Sequence, residues 1–108
     1  MPKGTYLGEF EQLVLLALLR LGDEAYGVTI RREIAARTGR DVSIGAIYAT
    51  LDRLEQKGFV SSRRGDPTPE RGGRAKRYFR IEATGLRASD QSWQMLQQMR
   101  YGLETAEA

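Results

Sequence analysis

The sequence predicts a mostly helical domain that carries one small β-hairpin and ends in a long helix. Three observations carry this. Apolar residues recur at helical spacing in four separate stretches, glycines close the first three of them, and two β-prone runs flank a Gly- and Pro-rich segment. With 108 residues the chain is long enough for one modest core.

Residues 1–7 form a short arm containing Gly and Pro. From residue 8, Phe10, Leu13, Val14, Ala17, Leu18 and Leu21 follow the rhythm of one helical face until Gly22-Asp23-Glu24 breaks it. Leu15, Leu16 and Leu19 fall off that stripe. A helix apolar nearly all round is covered on more than one side, either by the rest of the chain or by a second subunit, and Leu15 and Leu19 are the expected contacts with a second subunit. A second helix spans 26–37, with Tyr26, Ile30 and Ile34 spaced by four and Gly39 as its stop. Its arginines, Arg31, Arg32 and Arg37, lie off the apolar stripe, solvated or paired with Glu33.

The stretch 43–58 is a third helix, capped by the Ser43 hydroxyl and ended by Gly58 in the left-handed position. One side carries Ile44, Ile47, Tyr48, Leu51, Leu54 and Glu55, and five of these six are apolar or aromatic. The other side carries Ala46, Ala49, Thr50, Arg53, Gln56 and Lys57. Small residues let a helix backbone come close to something, and long donors then reach it. Taken alone, this is equally an amphipathic helix with a solvated face. Its neighbours matter: two short helices joined by the tight turn 39–42 make a helix-turn-helix.

After Gly58 the alphabet changes. Runs 59–64 and 76–81 are β-prone, and 65–74 between them is too rich in Gly and Pro for a regular element, which makes a hairpin with a long tip. A helix-turn-helix followed by such a hairpin is a winged helix-turn-helix. The tip carries or borders Arg64, Arg71, Arg74, Lys76 and Arg77, and Gly72-Gly73 beside Arg74 admits close approach of backbone to a phosphate. The final stretch, 83–103, places Leu86, Trp93, Leu96, Met99 and Leu103 on an approximate helical stripe, and 104–108 is a frayed end. So little chain remains to cover that stripe that it either pairs with a second copy or folds back on the first helix. The domain division is therefore 1–82, the winged helix-turn-helix, and 83–108, a dimerisation helix.

Composition narrows the function classes. There is no Cys and no His, which removes disulfide scaffolds, thiolate nucleophiles, the usual zinc sites and the common neutral-pH base. The densest carboxylates, Glu9, Glu11, Asp23 and Glu24, read as a solvated helix start and turn, so no enzyme and no cofactor are expected. No apolar run reaches the roughly 20 residues of a membrane span, and no signal peptide is evident, which points to the cytoplasm. The net charge is only +3, but residues 52–80 hold nine basic against four acidic side chains, and the remainder is slightly acidic. A basic half on a nearly neutral body suits a polyanionic partner.

In order along the chain, Ala25-Tyr26-Gly27-Val28-Thr29-Ile30, Ser43-Ile44-Gly45-Ala46-Ile47-Tyr48, Leu51 through Gly58, and Lys76-Arg77-Tyr78-Phe79-Arg80-Ile81 before Thr84-Gly85 resemble the PadR family of transcriptional regulators. The resemblance spans roughly residues 7–86, and its single C-terminal helix looks like the compact subgroup. It implies homodimers that bind palindromic operators, usually repress, and often release DNA when a small molecule binds. Carried over by position, Ser43, Ala46, Tyr48, Thr50 and Arg53 are the groove- or phosphate-facing candidates, and Arg71, Arg74 and Lys76 the wing contacts; Lys57 and Arg64 join them on charge. Tyr48 divides between a core ring and a phosphate-facing hydroxyl. Where the family commonly has Thr or Ser before the last helix, this chain has Glu82, so Thr84 becomes the expected cap. Trp93, Leu96, Met99 and Leu103 are the expected dimer contacts, and Trp93 additionally a stacking platform for a planar apolar effector, or a dimer anchor alone. The rival reading is a winged-helix module whose basic wing meets an acidic protein instead of DNA.

Overall fold

The structure, a computed structural model, describes residues 6–65 and 76–103. The first helix, α1 (Glu9–Leu21), starts where the Glu11 carboxylate reaches back to accept the Gly8 amide at 3.0 Å. It ends in a 3-10 turn, Gly22–Glu24, with Gly22 at φ 59°. The second helix, α2 (Gly27–Thr38), stops at Gly39, whose φ of 73° is a left-handed conformation that glycine adopts without strain. The third, α3 (Ile44–Gln56), is capped as its sequence predicts: the Ser43 hydroxyl accepts the Ala46 amide at 3.0 Å.

Strands β1 (Val60–Arg64) and β2 (Arg77–Ile81) pair antiparallel from Val60 opposite Ile81 to Arg64 opposite Arg77. Alternation then divides the hairpin into two faces. Val60, Ser62 and Phe79 turn to the core and α3, whereas Ser61, Arg63, Tyr78 and Arg80 occupy the other face. The Phe79 amide also donates to the Ala25 carbonyl, which ties the hairpin to the start of α2. Where the tip begins, the Gly65 amide donates to the Lys76 carbonyl; Arg71 and Arg74 of the expected tip lie outside the described residues.

The core is one cluster, built from Val14, Leu15, Leu18, Ile30, Ile34, Ile47, Leu51, Leu54, Phe59, Val60 and Phe79 together with three alanines. Two readings of the helices need correction. Leu15 is 0% exposed inside its own chain, so it has no surface to offer a partner, while Leu19 is 43% exposed. Leu15 lies four residues after the buried Glu11 and three before the buried Leu18, and so shares their stripe. Thr50, placed on the outer side of α3, is 2% exposed. It sits three residues after Ile47 and four before Leu54, on the same buried stripe, and its hydroxyl is satisfied by Arg53 Nη2 at 3.1 Å.

The last helix, α4 (Ala83–Arg100), is divided along its length. Its first half is buried through small residues: Gly85 lies against Phe59 and Ile81, and Ala88, Ser89 and Ser92 are buried further along, where the helix meets α1. Gln12 Nε2 donates to the Ser89 carbonyl at 3.0 Å and the Leu7 amide to Ser92 Oγ at 3.1 Å. Thr84 does not cap this helix; its hydroxyl donates to the Gly58 carbonyl, and Glu82 takes the capping position with no side-chain bond to the helix. Beyond Ser92 the apolar stripe is bare, with Trp93 and Leu96 each 55% and Met99 77% exposed.

Candidate nucleic-acid interface

On α3, the residues left exposed are Gly45, Ala46, Ala49, Asp52, Arg53 and Gln56. The first three make a shallow surface on which the backbone itself is accessible, at the end that Ser43 caps. Tyr48 lies at the edge of this surface, half-buried, its ring 6.4 Å from that of Phe79. The tip of that ring lies against Gly27: a Cβ built there would stand 2.7 Å from both Cζ and Oη of Tyr48. A glycine at the first position of α2 is thus what lets the Tyr48 hydroxyl rest at the start of that helix.

The charged side chains of α3 are bound up with their neighbours. Lys57 Nζ donates to Glu11 Oε2 at 3.0 Å, and Arg53 Nε approaches the same oxygen at 4.0 Å. Glu11 is therefore not the solvated helix-start carboxylate that its place in the sequence suggests; its side chain is only 12% exposed. Burial raises its pKa, but the Gly8 amide, the Lys57 hydrogen bond and the charges of Lys57 and Arg53 outweigh this and hold it below 4.5. On the other flank, Arg77 of β2 donates to Asp52 at 3.2 Å and to Glu55 at 2.5 Å, and Ser62 of β1 takes the second Glu55 oxygen at 2.8 Å. The Arg77 guanidinium also stacks 4.8 Å from the Phe79 ring centroid.

The two described wing candidates are exposed and part company. Lys76 holds its ammonium 4.7 Å over the Tyr26 ring, and Tyr26 meets Tyr78 edge-on at 5.3 Å. Arg64, opposite Arg77 at the end of the hairpin, has no side-chain ion-pair or hydrogen-bond partner among the described residues. Ala46 and Arg53 share the exposed side of α3 with Ser43 at its cap, Tyr48 lies at the opposite edge against Phe79 and Gly27, and Thr50 is removed from the surface. Sequence reasoning missed Glu11 and the Arg77 bridge. For Glu11 the signal was there, since a Glu three residues after a helix start is placed to bond back to it. Among the described residues, no group of three or more His, Cys, Asp or Glu is placed to hold a metal ion.

Three helices with an antiparallel hairpin after the third form the winged helix-turn-helix arrangement, and a family model provides the deciding comparison. The model of the transcriptional regulator PadR-like family matches residues 15–91, well over half of the chain. The chain belongs to this family. Solved structures agree in fold. A transcriptional regulator from Clostridium thermocellum is similar at a TM-score of 0.70 and 23% identity, over 83% of this chain and 84% of that one. A PadR family regulator from Eggerthella lenta is 28% identical at a TM-score of 0.62, over 90% of this chain and 88% of its own. PadR of Bacillus subtilis, solved in complex with operator DNA, has a TM-score of 0.64 at 20% identity; 80% of this chain covers 47% of that one. A comparison with curated protein sequences finds no match. In this PadR-like regulator the matched span runs from inside α1 to the middle of α4, so it takes in α3, the hairpin and the joint between them. The chain is a transcriptional regulator, not an enzyme.

Proposed function

We propose that this regulator binds double-stranded DNA as a homodimer, with α3 in the major groove of each half of a palindromic operator, and represses until a small molecule releases it. The observation that carries this reading is the bare surface of Gly45, Ala46 and Ala49 beside the base of a basic wing. A helix whose backbone is that accessible fits a groove, and small side chains there suit thymine methyl contacts and readout of DNA shape more than bidentate hydrogen bonds. PadR of B. subtilis, a neighbour solved in complex with operator DNA, supports the DNA-binding part of this reading. Leu19 of α1 and Trp93, Leu96, Met99 and Leu103 of the chain's end supply the dimer seam, which is apolar enough to need cover. No described helix is long and apolar enough to cross a membrane.

Salt decides between DNA and an acidic protein partner. Affinity for a random-sequence duplex is expected to fall steeply between about 50 and 200 mM salt as phosphate counterions are released. A chain that ignores duplex DNA at low salt is instead the protein-binding module. For the effector, Trp93 is the sole Trp and half-exposed, so flat aromatic cations should quench its fluorescence and, if they act on DNA binding, lower duplex affinity in the same titration. Quenching without a change in affinity leaves Trp93 as a dimer anchor.

A further inference from the structure

We propose that Glu11 is a specificity-determining residue, one that holds Lys57 and Arg53 back from phosphate and so weakens binding to DNA of arbitrary sequence. The inference rests on the DNA-binding reading above. Its starting point is the geometry of one carboxylate. Glu11 Oε1 accepts the Gly8 amide at 3.0 Å, and Oε2 accepts Lys57 Nζ at 3.0 Å with Arg53 Nε 4.0 Å away.

The exposures within this cluster are unequal, and that inequality gives the pair its effect. The Glu11 side chain is 12% exposed, against 33% for Lys57 and 55% for Arg53. An ion pair open to water on both sides exchanges partners at little cost. Here a Lys57 that swung out to a phosphate would leave a carboxylate that water cannot properly reach, and an abandoned buried charge is strongly unfavourable. Arg53 is directed the same way twice over, by Glu11 and by the buried Thr50 hydroxyl that it donates to.

With Arg77 engaging Asp52 and Glu55 on the opposite flank, the unpaired exposed surface of α3 reduces to Gly45, Ala46, Ala49 and Gln56. Uncharged contacts of that kind depend on the base sequence, whereas phosphate attraction does not. Every cation withheld from phosphate therefore lowers the background against which an operator competes.

Glu11→Gln tests this on a random-sequence duplex, because Gln keeps an oxygen for the Gly8 amide and loses the charge that holds the cations. Each released cation is expected to steepen the salt dependence by about 0.9, so the affinity lost between about 50 and 200 mM salt grows about 3.5-fold for one and about 12-fold for two. Adding Lys57→Gln to that variant should take about 0.9 of the slope away again. A slope equal to wild type in Glu11→Gln overturns the inference, and so does a double variant as steep as the single one. If wild type itself ignores the duplex, the DNA-binding reading falls and this inference with it; if wild type binds and Glu11→Gln matches it, only the inference falls. Should Glu11→Gln lose its helical circular dichroism, Glu11→Asp, which withdraws the carboxylate by one methylene, carries the same expectation and the same refutation.

Discussion

Two residues show how much a single side chain, or the lack of one, decides in this chain. Glu11 has its pKa held below 4.5, so in the folded state it keeps its proton off to lower pH than in the unfolded chain. Its stabilisation is fully present above pH 4.5 and is lost as pH falls through the lower, folded value. Urea midpoints measured from neutral pH into acid should therefore drop less for Glu11→Gln than for wild type; parallel curves would contradict the assignment. Gly27 decides by absence. A methyl group there meets the Tyr48 ring at 2.7 Å, so Gly27→Ala is expected to cost about 1–3 kcal/mol in urea unfolding as the ring is pushed off the start of α2. Wild-type stability in that variant would mean that Tyr48 is free to move. Neither effect follows from hydropathy, which sees an acid near a helix start and a glycine near another. Thr50 is similar: a β-branched residue with a hydroxyl scores as polar, yet one partner for that hydroxyl is enough to let it join the core.

At the scale of elements, the glycine stops, the Ser43 cap and both strands were legible within a residue or two, because each depends on local chemistry. The docking of α4 on α1 was legible only as one of two alternatives, and the face that makes it was not. Its buried face is Gly85, Ala88, Ser89 and Ser92, at spacings of three and four, and a search for large apolar residues passes over such a stripe. Small residues bury little area each but bring helix backbones close, which is why Gln12 and the Leu7 amide reach α4 at hydrogen-bond distance. The hairpin and α3 are joined by charge instead. Arg77 spans Asp52 and Glu55, both partly exposed, so its worth in stability is about 1 kcal/mol at most. Its larger consequence concerns DNA. Arg77→Met should weaken duplex binding by leaving two carboxylates bare on α3, and Asp52→Asn added to it should restore part of the loss. An Arg77 that touched phosphate directly would show no such recovery.

Over the whole molecule, α4 is divided between a first half that is buried through small residues and a second half whose apolar stripe is exposed. Truncation after Ser92 keeps the small-residue packing on α1 and removes Trp93, Leu96, Met99 and Leu103, so the shortened chain is expected to stay folded and to sediment as a monomer that binds duplex DNA weakly. A dimer after that cut would place the seam elsewhere. The charge imbalance between residues 52–80 and the rest was visible in the sequence; what it could not convey is how many of those cations are already occupied. The base of α4 has a mechanical consequence of its own. There the Glu82 amide donates to the Phe59 carbonyl, Thr84 to that of Gly58, and Gly85 lies so close that a Cβ would stand 2.2 Å from the Phe59 oxygen. Only Lys57 separates Gly58 and Phe59 from α3, so no slack linker separates the helix that would meet a partner from the helix that would meet DNA. A tilt imposed on the free end of α4 would therefore meet the end of α3 through these bonds rather than through a loose loop.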